Sequence, residues 1–330
     1  MESTQIPESE KRKRFNFDRT RSWIAGHGIY LALAILVLIS VILSPAFFKL
    51  SNLLNVLRAA AVLGIVSIGQ TFVILGGGID LSVGATMGTV AIAISEITRG
   101  SDQNVLIGIL ACLGIGLLIG LANGLLITKR NVPPFVVTLG MLIFVEGARL
   151  AYTKGIISGR PAPFIRQLAV VHGAVPVPLI LLAVLVFISA IVLYRTPFGR
   201  RLYAVGGNRE AARFAGIRVD RIIIATYLIS GLFAAIAGLV LSGYIGYGDR
   251  YLGRGFDMDS IGATVIGGTT FAGGVGGIGG TIVGVLLLTT LFNIVLILGL
   301  PVEVQLVIKG IVIIAAVLMY SALQRRRTQT

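Results

Sequence analysis

The sequence predicts an all-α integral membrane protein with about ten transmembrane helices. Of its 330 residues 55% are apolar and 13% are charged, whereas soluble proteins carry about 25% charged residues. The mean hydropathy is +0.93, and apolar runs of about 20 residues, the length that crosses a bilayer, recur along the chain. A water-soluble globule would have to expose much of this apolar surface, whereas a lipid-embedded bundle can leave it facing lipid.

The first 27 residues form a polar tail with six Lys and Arg residues, and a long apolar run at 28–48 follows it. The apolar part of a secretory signal is about 7–15 residues long. The longer run therefore predicts a retained first helix, and the basic tail predicts a cytoplasmic N-terminus.

A bilayer-sized window predicts a membrane domain at 28–322 between the basic tails 1–27 and 323–330. The ten predicted spans are 28–48, 53–75, 81–98, 104–127, 134–153, 178–194, 222–245, 256–272, 275–299 and 303–322. With the N-terminus inside, the internal segments hold 18 Lys and Arg residues and the external ones hold seven. This excess predicts that both termini are cytoplasmic and that the number of spans is even.

Two pairs of spans, the second with the third and the eighth with the ninth, are joined by Gly-rich turns without Lys or Arg. Either pair could instead be a broken or re-entrant element. A weak internal repeat falls at the same two places, because 68–89 resembles 261–281. This similarity indicates either a duplicated half or a coincidence of Gly-rich composition.

The sequence contains few residues that could form an enzyme active site or a metal site. Cys112 is the only cysteine and there are two histidines, so no intrachain disulfide or Cys-rich metal site is expected. No Lys precedes Ser or Thr, which excludes a Walker A loop. The G-x-G-x-x-G at 274–279 lies between two membrane helices and not after a strand, which argues against dinucleotide binding. The net charge of +14 is explained by the Lys and Arg residues of the predicted cytoplasmic segments, so no nucleic acid partner is expected.

Ionisable residues within membrane spans are the first functional candidates in such a chain. The predicted spans contain Arg58, Glu96, Glu146, Arg149 and Lys309. Glu146 and Arg149 are three residues apart on one helix, which favours a local ion pair over a transport role. An ion-coupled carrier commonly needs ionisable groups near the midplane that relay a proton or a sodium ion, and these residues are few for such a relay.

The turn from Gly76 to Asp80 has two interpretations. Its three glycines permit a positive φ, and Asp80 or Ser82 can cap the next helix. Alternatively, an unwound turn can line a translocation path and offer its backbone groups to a polar solute. The path candidates are Gly76, Gly77, Gly78, Asp80 and Ser82.

The loop 195–221 is the longest internal one and carries seven arginines. Asn208 is suited to cap a short helix from Arg209 to Ala215, and Gly216 is suited to end it. Such a helix can press its Ala and Phe face into a groove of another protein. It can equally lie on anionic lipid.

Three ordered motifs over about residues 28–322 resemble the ribose-type sugar permeases of the ATP-binding-cassette (ABC) importers. Gly76–Gly84, Tyr203–Asn208 and Gly255–Gly274 carry this resemblance. The segment Glu210–Gly216 also matches the first half of the EAA-x-x-x-G loop of ABC importer permeases. The later I-x-L-P part of that loop is absent.

The resemblance implies a non-catalytic permease with type II-like ABC importer architecture in a bacterial cytoplasmic membrane. It implies a second permease copy or paralogue, ATPase subunits that bind ATP and Mg²⁺, and an extracytoplasmic protein that delivers a monosaccharide or polyol. The chain itself would bind no cofactor. The residues implied to couple to the ATPase are Gly207, Asn208, Glu210, Ala211, Ala212 and Gly216. Candidates for meeting the binding protein are Arg250, Arg254, Asp257 and Asp259, which can equally be solvated loop charges.

Three alternatives stay open at this point. A branched-chain amino-acid permease of the same superfamily differs chiefly in its substrate. An ion-coupled secondary carrier and a channel-like subunit belong to other classes. Neither of those two classes explains the EAA-like loop.

Overall fold

The structure is a computed structural model that describes residues 28–154, 159–172, 175–301, 303–311 and 314. Both predicted tails, 1–27 and 323–330, lie outside the described residues. The helices are α1 (Gly28–Leu43), α2 (Leu50–Leu75), α3 (Val83–Thr98), α4 (Val105–Lys129), α5 (Pro134–Thr153), α6 (Pro163–Gln167), α7 (Val177–Arg195), α8 (Pro197–Gly207), α9 (Arg209–Phe214), α10 (Val219–Ile245), α11 (Phe256–Ile266), α12 (Ile278–Ile297) and α13 (303–311). Short 3₁₀ turns at Pro45–Phe48 and Asp102–Asn104 precede α2 and α4.

In the described ranges all regular structure is helical apart from a two-stranded hairpin, in which β1 (Val171–His172) pairs antiparallel with β2 (Val175–Pro176). Among the described residues six helices are long and apolar enough to cross a membrane: α2, α4, α5, α7, α10 and α12. The chain is therefore a multi-pass membrane protein. Helices α1 and α3 are apolar but shorter.

The eighth predicted span, 256–272, is wrong as a continuous helix. Helix α11 ends at Ile266, and its 11 residues extend about 16 Å against a hydrocarbon core of about 30 Å. A Gly-rich turn at 267–277 follows, because the glycines there adopt positive φ angles that a helix does not allow.

Helices α2 and α10 form the centre of the bundle. Their most apolar stretches are 83% and 67% buried, whereas those of α4, α5 and α7 are 22% buried. Helices α4 and α10 run antiparallel in close contact, because Gly116, Gly120 and Gly124 face the α10 backbone. A Cβ placed on Gly124 would lie 2.9 Å from the Cα of Ile224. These three glycines, spaced four residues apart, allow the two helix backbones to approach closely.

The chain after α10 turns back into the bundle before α11 begins. Near the end of α10, the Ser242 hydroxyl lies 3.2 Å from that of Ser95 on α3. Ten residues later the Leu252 and Gly253 carbonyls lie against Gly88 and Gly84, about 10–16 Å lower along α3. Segment 246–255 and α11 thus form one discontinuous element, in whose non-helical part Leu252 and Gly253 are buried against α3.

Candidate functional site

The predicted Gly76–Asp80 turn lies deep within the bundle. Ser230 of α10 donates a hydrogen bond from Oγ to Asp80 Oδ2 at 2.8 Å. Ser230 is 11 residues from the start of α10, about 16 Å along a helix of about 40 Å. Tyr227, one turn before it, donates from its hydroxyl to the Ile79 carbonyl at 3.2 Å. The turn therefore packs against the first half of α10.

Asp80 organises this turn through its carboxylate. Oδ1 accepts hydrogen bonds from the Ser82 N–H at 3.0 Å and the Ser82 hydroxyl at 2.6 Å. Asn123 of α4 donates from Nδ2 to Ser82 Oγ at 2.9 Å. The Gln70 amide, in the orientation its partners require, pairs with the N–H and the carbonyl of Asp80, both at 3.2 Å. Helix α3 itself has no side-chain cap hydrogen bond, so Asp80 holds Ser82, the residue before the helix, and does not cap the helix as predicted.

The structure brings the five predicted path residues together but leaves little of them accessible. Asp80 and Ser82 are each 1% exposed, and their side-chain oxygens bind groups of the same chain. Gly76 and Gly78 are buried, and Gly77, with φ +72°, is partly exposed. Contact between these residues and a solute stays a prediction.

The second Gly-rich turn, 267–277, lies beside the first. Gly274 N donates to the Leu75 carbonyl at the end of α2 at 2.9 Å. One turn further into the bundle, the hydroxyls of Thr71 and Thr281 are 2.7 Å apart. The two similar sequence segments, 68–89 and 261–281, therefore form neighbouring helix–turn–helix units that contact each other at the same depth.

The short helix predicted in the loop 195–221 is confirmed as α9, Arg209–Phe214. Asn208 caps it, because its Oδ1 accepts a hydrogen bond from the Ala211 N–H at 3.0 Å. Gly216 has φ +78° and follows the helix end. Asn208 therefore caps the helix and Gly216 follows its end, as the sequence predicted.

A second helix in this loop, α8, was not predicted. Thr196 caps it, accepting a hydrogen bond from the Gly199 N–H at 3.4 Å, and Pro197 stands at its first position. Ser or Thr followed by Pro is a helix-start signal that was present in the sequence. Helices α8 and α9 together define one end of the bundle, which we call the basic end (195–221).

Helix α8 ends against both Gly-rich turns. A Cβ on Gly206 would clash with the Leu75 carbonyl and with Gly274 N, and a Cβ on Gly273 would lie 2.8 Å from the Gly206 carbonyl. We call Gly76–Gly78, Gly206–Gly207 and Gly273–Gly274 the glycine junction. Only backbones without side chains can approach so closely.

Two side chains from the basic end bind the two Gly-rich turns. Arg209, the first residue of α9, donates from Nη2 to the Gly76 carbonyl at 3.0 Å and to the Gly77 carbonyl at 3.2 Å. Tyr203 of α8 donates to the Gly276 carbonyl at 2.8 Å. Burial, and after it the neighbouring Tyr194, raises the pKa of Tyr203 to about 12, so its hydroxyl stays a donor at neutral pH. Sequence reasoning named neither as a site residue, although Tyr203 begins the motif Tyr203–Asn208 and Arg209 begins the predicted short helix.

The outer face of α9 is free of contacts with the described bundle. Phe214 is 92% exposed, and Glu210 and Ala211 are exposed beside it, while Ala212 is buried against the bundle. Asp220 holds the helix base by ion pairs with Arg213 at 3.6 Å and with Lys129 at 3.0 Å. An exposed aromatic ring on a short, fixed helix is suited to enter a pocket of another protein.

The four predicted binding-protein residues differ in accessibility. Arg250 and Arg254 are exposed, and their guanidinium carbons lie 5.3 and 5.8 Å from the Tyr251 ring centroid. Asp257 is partly exposed beside Gly84. Asp259 is paired with Lys309 of α13, and its side chain is 16% exposed.

The ionisable residues within the helices are mostly paired. Arg149 Nη2 lies 3.9 Å from Glu146 Oε1, which confirms the predicted local pair. Lys309 binds Asp259. The described residues therefore contain no long chain of ionisable groups that could serve as the proton or sodium relay of an ion-coupled carrier.

A multi-pass bundle with two adjoining Gly-rich turns, joined to a capped helix that presents an exposed aromatic ring, is typical of a membrane transport subunit. Residues 52–317 match the family model described as branched-chain amino acid transport system / permease component. The chain belongs to this family of permease components.

Within the family the chain is similar to sugar permeases. It is 42% identical over 316 residues to the ribose import permease protein RbsC of Bacillus subtilis (strain 168), covering 94% of this chain and 96% of that protein. It is 36% identical to RbsC of Escherichia coli (strain K12), over 91% of this chain and 95% of that protein. The xylose transport system permease protein XylH of the same strain is 32% identical, over 85% and 87%. No solved structure matches the chain.

Proposed function

We propose that this chain is the membrane subunit of an ABC importer and forms the path for a monosaccharide, with ribose the first candidate. One observation carries the coupling part of the proposal. Arg209 of the capped helix α9 binds the turn that interrupts the bundle near its middle, so a force on α9 reaches that turn through two hydrogen bonds.

The proposed topology follows the distribution of Lys and Arg. With the basic end in the cytoplasm, both termini are cytoplasmic and ten elements cross or enter the bacterial inner membrane. The eighth is the discontinuous element 246–266, and the tenth begins with α13. The external end then carries the exposed Arg250 and Arg254.

The energy source is an ATPase on a partner chain. The proposed ATPase contact is the outer face of α9, with Phe214 as the anchor and Glu210 as the charged residue beside it. This helix is shaped and capped by the other residues that the resemblance implies for coupling, which are Gly207, Asn208, Ala211, Ala212 and Gly216. ATP and Mg²⁺ bind to the ATPase, and this chain binds no cofactor.

The proposed transport step is alternating access. Closure of two ATPase subunits moves both copies of α8 and α9, and the glycine junction passes the motion to the turns at 76–80 and 267–277. A second permease copy or a paralogue completes the path. Because the spans contain few unpaired charges, the path suits a neutral polyhydroxy solute, which needs hydrogen bonds and no counter-ion.

The external partner is an extracytoplasmic sugar-binding protein. The stacked cluster of Arg250, Tyr251 and Arg254 offers two cations and an aromatic ring to it, and Asp257 lies at its margin. Asp259 contributes indirectly, because its pair with Lys309 joins α11 to α13.

The test is uptake of labelled ribose into proteoliposomes that contain this chain, its ATPase and its binding protein. ATP-dependent uptake that persists with a protonophore is expected, with competition by excess xylose. Competition by leucine alone would reassign the substrate to the amino acids named in the family description. Uptake without ATP that a protonophore abolishes would replace the proposal by a secondary carrier.

A further inference from the structure

A buried arginine on α5 contacts the backbone of the exposed cluster formed by Arg250, Tyr251 and Arg254. This residue, Arg149, stands four residues before the end of α5, and its side chain is 5% exposed. A cation within a membrane helix is costly, and such residues mark functional sites. Neither the coupling route through α9 nor the glycine junction uses Arg149.

The ion pair with Glu146 does not account for the position of this guanidinium group. Its Nη2 lies 3.9 Å from Glu146 Oε1, whereas the same nitrogen donates a hydrogen bond to the Arg250 carbonyl at 3.0 Å. The shorter contact is therefore with the backbone of the segment between α10 and α11. The carboxylate balances the charge from a greater distance.

The backbone at 249–254, which we call the docking turn, leaves two carbonyl groups for Arg149. The carbonyls of Asp249, Tyr251 and Gly253 each accept a hydrogen bond of 3.0–3.3 Å from the N–H three residues later. The carbonyls of Arg250 and Leu252 receive no backbone hydrogen bond from the residues that the structure describes. Because polar backbone groups away from water need partners, a buried donor beside these two carbonyls stabilises the turn.

The same guanidinium group lies against α3. Its Nη1 and the Leu252 carbonyl both occupy the space that a Cβ on Gly88 would take. One helical turn earlier, a Cβ on Gly84 would lie 2.6 Å from the Gly253 carbonyl. The two glycines therefore leave room for the docking turn and for the Arg149 side chain. Arg149 thus joins α5, α3 and the docking turn.

We propose that Arg149 positions the docking turn for the extracytoplasmic sugar-binding protein, a role that rests on the proposed function. The guanidinium group fixes the backbone at Arg250, next to Tyr251, whose ring lies 5.3 and 5.8 Å from the guanidinium carbons of Arg250 and Arg254. A fixed backbone holds this cluster in one arrangement, so less conformational entropy is lost when the partner docks. Arg149 acts through the turn and does not itself touch the partner.

The first test needs no partner protein. Amide hydrogen exchange of 246–255 is measured by mass spectrometry on the purified full-length chain. Arg149→Met leaves the Arg250 carbonyl without its donor, so exchange in the docking turn is expected to rise about tenfold, with exchange in α4 and α10 unchanged. Glu146→Gln keeps the bond to Arg250 and is the matched control, expected to exchange like the wild type. Unchanged exchange in Arg149→Met, or an equal rise in the control, overturns the proposal.

The second test measures docking. ATP hydrolysis is titrated with the sugar-binding protein in proteoliposomes that contain the chain and its ATPase. Arg149→Met is expected to raise the half-saturating concentration of the binding protein about tenfold at an unchanged maximal rate, a split that a loss of folded protein does not produce. Arg149→Lys is expected to lie between the two, because it keeps the charge without the planar fork of donors, and it decides the matter if Arg149→Met does not fold. An unchanged half-saturating concentration overturns the proposal.

A double variant separates this proposal from the proposed function. Arg254→Ala removes a side chain of the exposed cluster and is expected to weaken docking by itself. Combined with Arg149→Met it is expected to add less than its single effect, because the cluster is already displaced; fully additive effects overturn the proposal. If the wild type does not respond to the binding protein at all, the proposed function fails, and the docking role fails with it even where the exchange of the turn depends on Arg149.

Discussion

Arg209 gives the sharpest test of the coupling route. Its Nη2 makes hydrogen bonds of 3.0 and 3.2 Å to the Gly76 and Gly77 carbonyls. Hydrogen bonds from a charged donor contribute about 1.5–3 kcal/mol. Because one nitrogen makes both bonds and the side chain is partly exposed, we take about 2 kcal/mol for the pair. Arg209→Ala is expected to shift the equilibrium between joined and separated states of α9 and the turn about 30-fold.

The assay is the number of sugar molecules taken up per ATP hydrolysed in proteoliposomes with the ATPase and the binding protein. We expect this ratio to fall strongly in Arg209→Ala while ATP hydrolysis continues, and to fall less in Arg209→Lys, which keeps the charge. The matched control is Arg213→Ala on the same helix, whose exposed ion pair with Asp220 contributes at most about 1 kcal/mol. A wild-type ratio in Arg209→Ala, or an equal loss in Arg213→Ala, would refute the route.

Four further predictions concern the same region. Glu210→Lys is expected to uncouple uptake from ATP hydrolysis with normal expression, and unchanged uptake would remove Glu210 from the contact. Phe214→Ala is expected to weaken ATPase binding by about 2 kcal/mol, measured by titration of the ATPase, and unaltered affinity would contradict the anchor role. Gly206→Ala is expected to lower the melting temperature and the yield. Gly207→Ala is the neutral control, because its Cβ would meet nothing within 4 Å. Equal melting temperatures of the two variants would contradict the close approach of α8 to the Gly-rich turns. Asp80→Ala leaves buried donors such as the Ser230 hydroxyl without an acceptor and is expected to lower the free energy of unfolding by about 3 kcal/mol. Thermal unfolding measures this loss, and a change below about 1 kcal/mol would contradict the prediction.

The positions of most helices were predictable, because each depends on a local apolar run. The predicted spans 134–153 and 178–194 agree with α5 and α7 within a residue at each end. The cap of α9 was predictable for the same reason, since Asn208 and Ala211 are three residues apart. The error at 256–272 arose because an apolar Gly-rich segment reads as a membrane span whether its backbone is helical or not.

The candidate site was only half predictable. The sequence pointed to the turn at Gly76 and to the helix at Arg209 as separate features. The hydrogen bond between these two residues joins positions that are 133 apart in the sequence, and no local sequence pattern predicts it. The Asp80–Ser230 bond, across 150 positions, is equally invisible from the sequence.

The sequence by itself therefore determined the membrane class, the helical segments, the capped loop helix and the resemblance to sugar permeases, because hydropathy and capping act over a few residues. Only the tertiary structure decided which backbones approach one another. The glycine junction and the contact of Leu252 and Gly253 with α3 exist because packing brings distant segments together. Packing depends on the shapes of whole helices, and these shapes become defined only when the bundle is assembled.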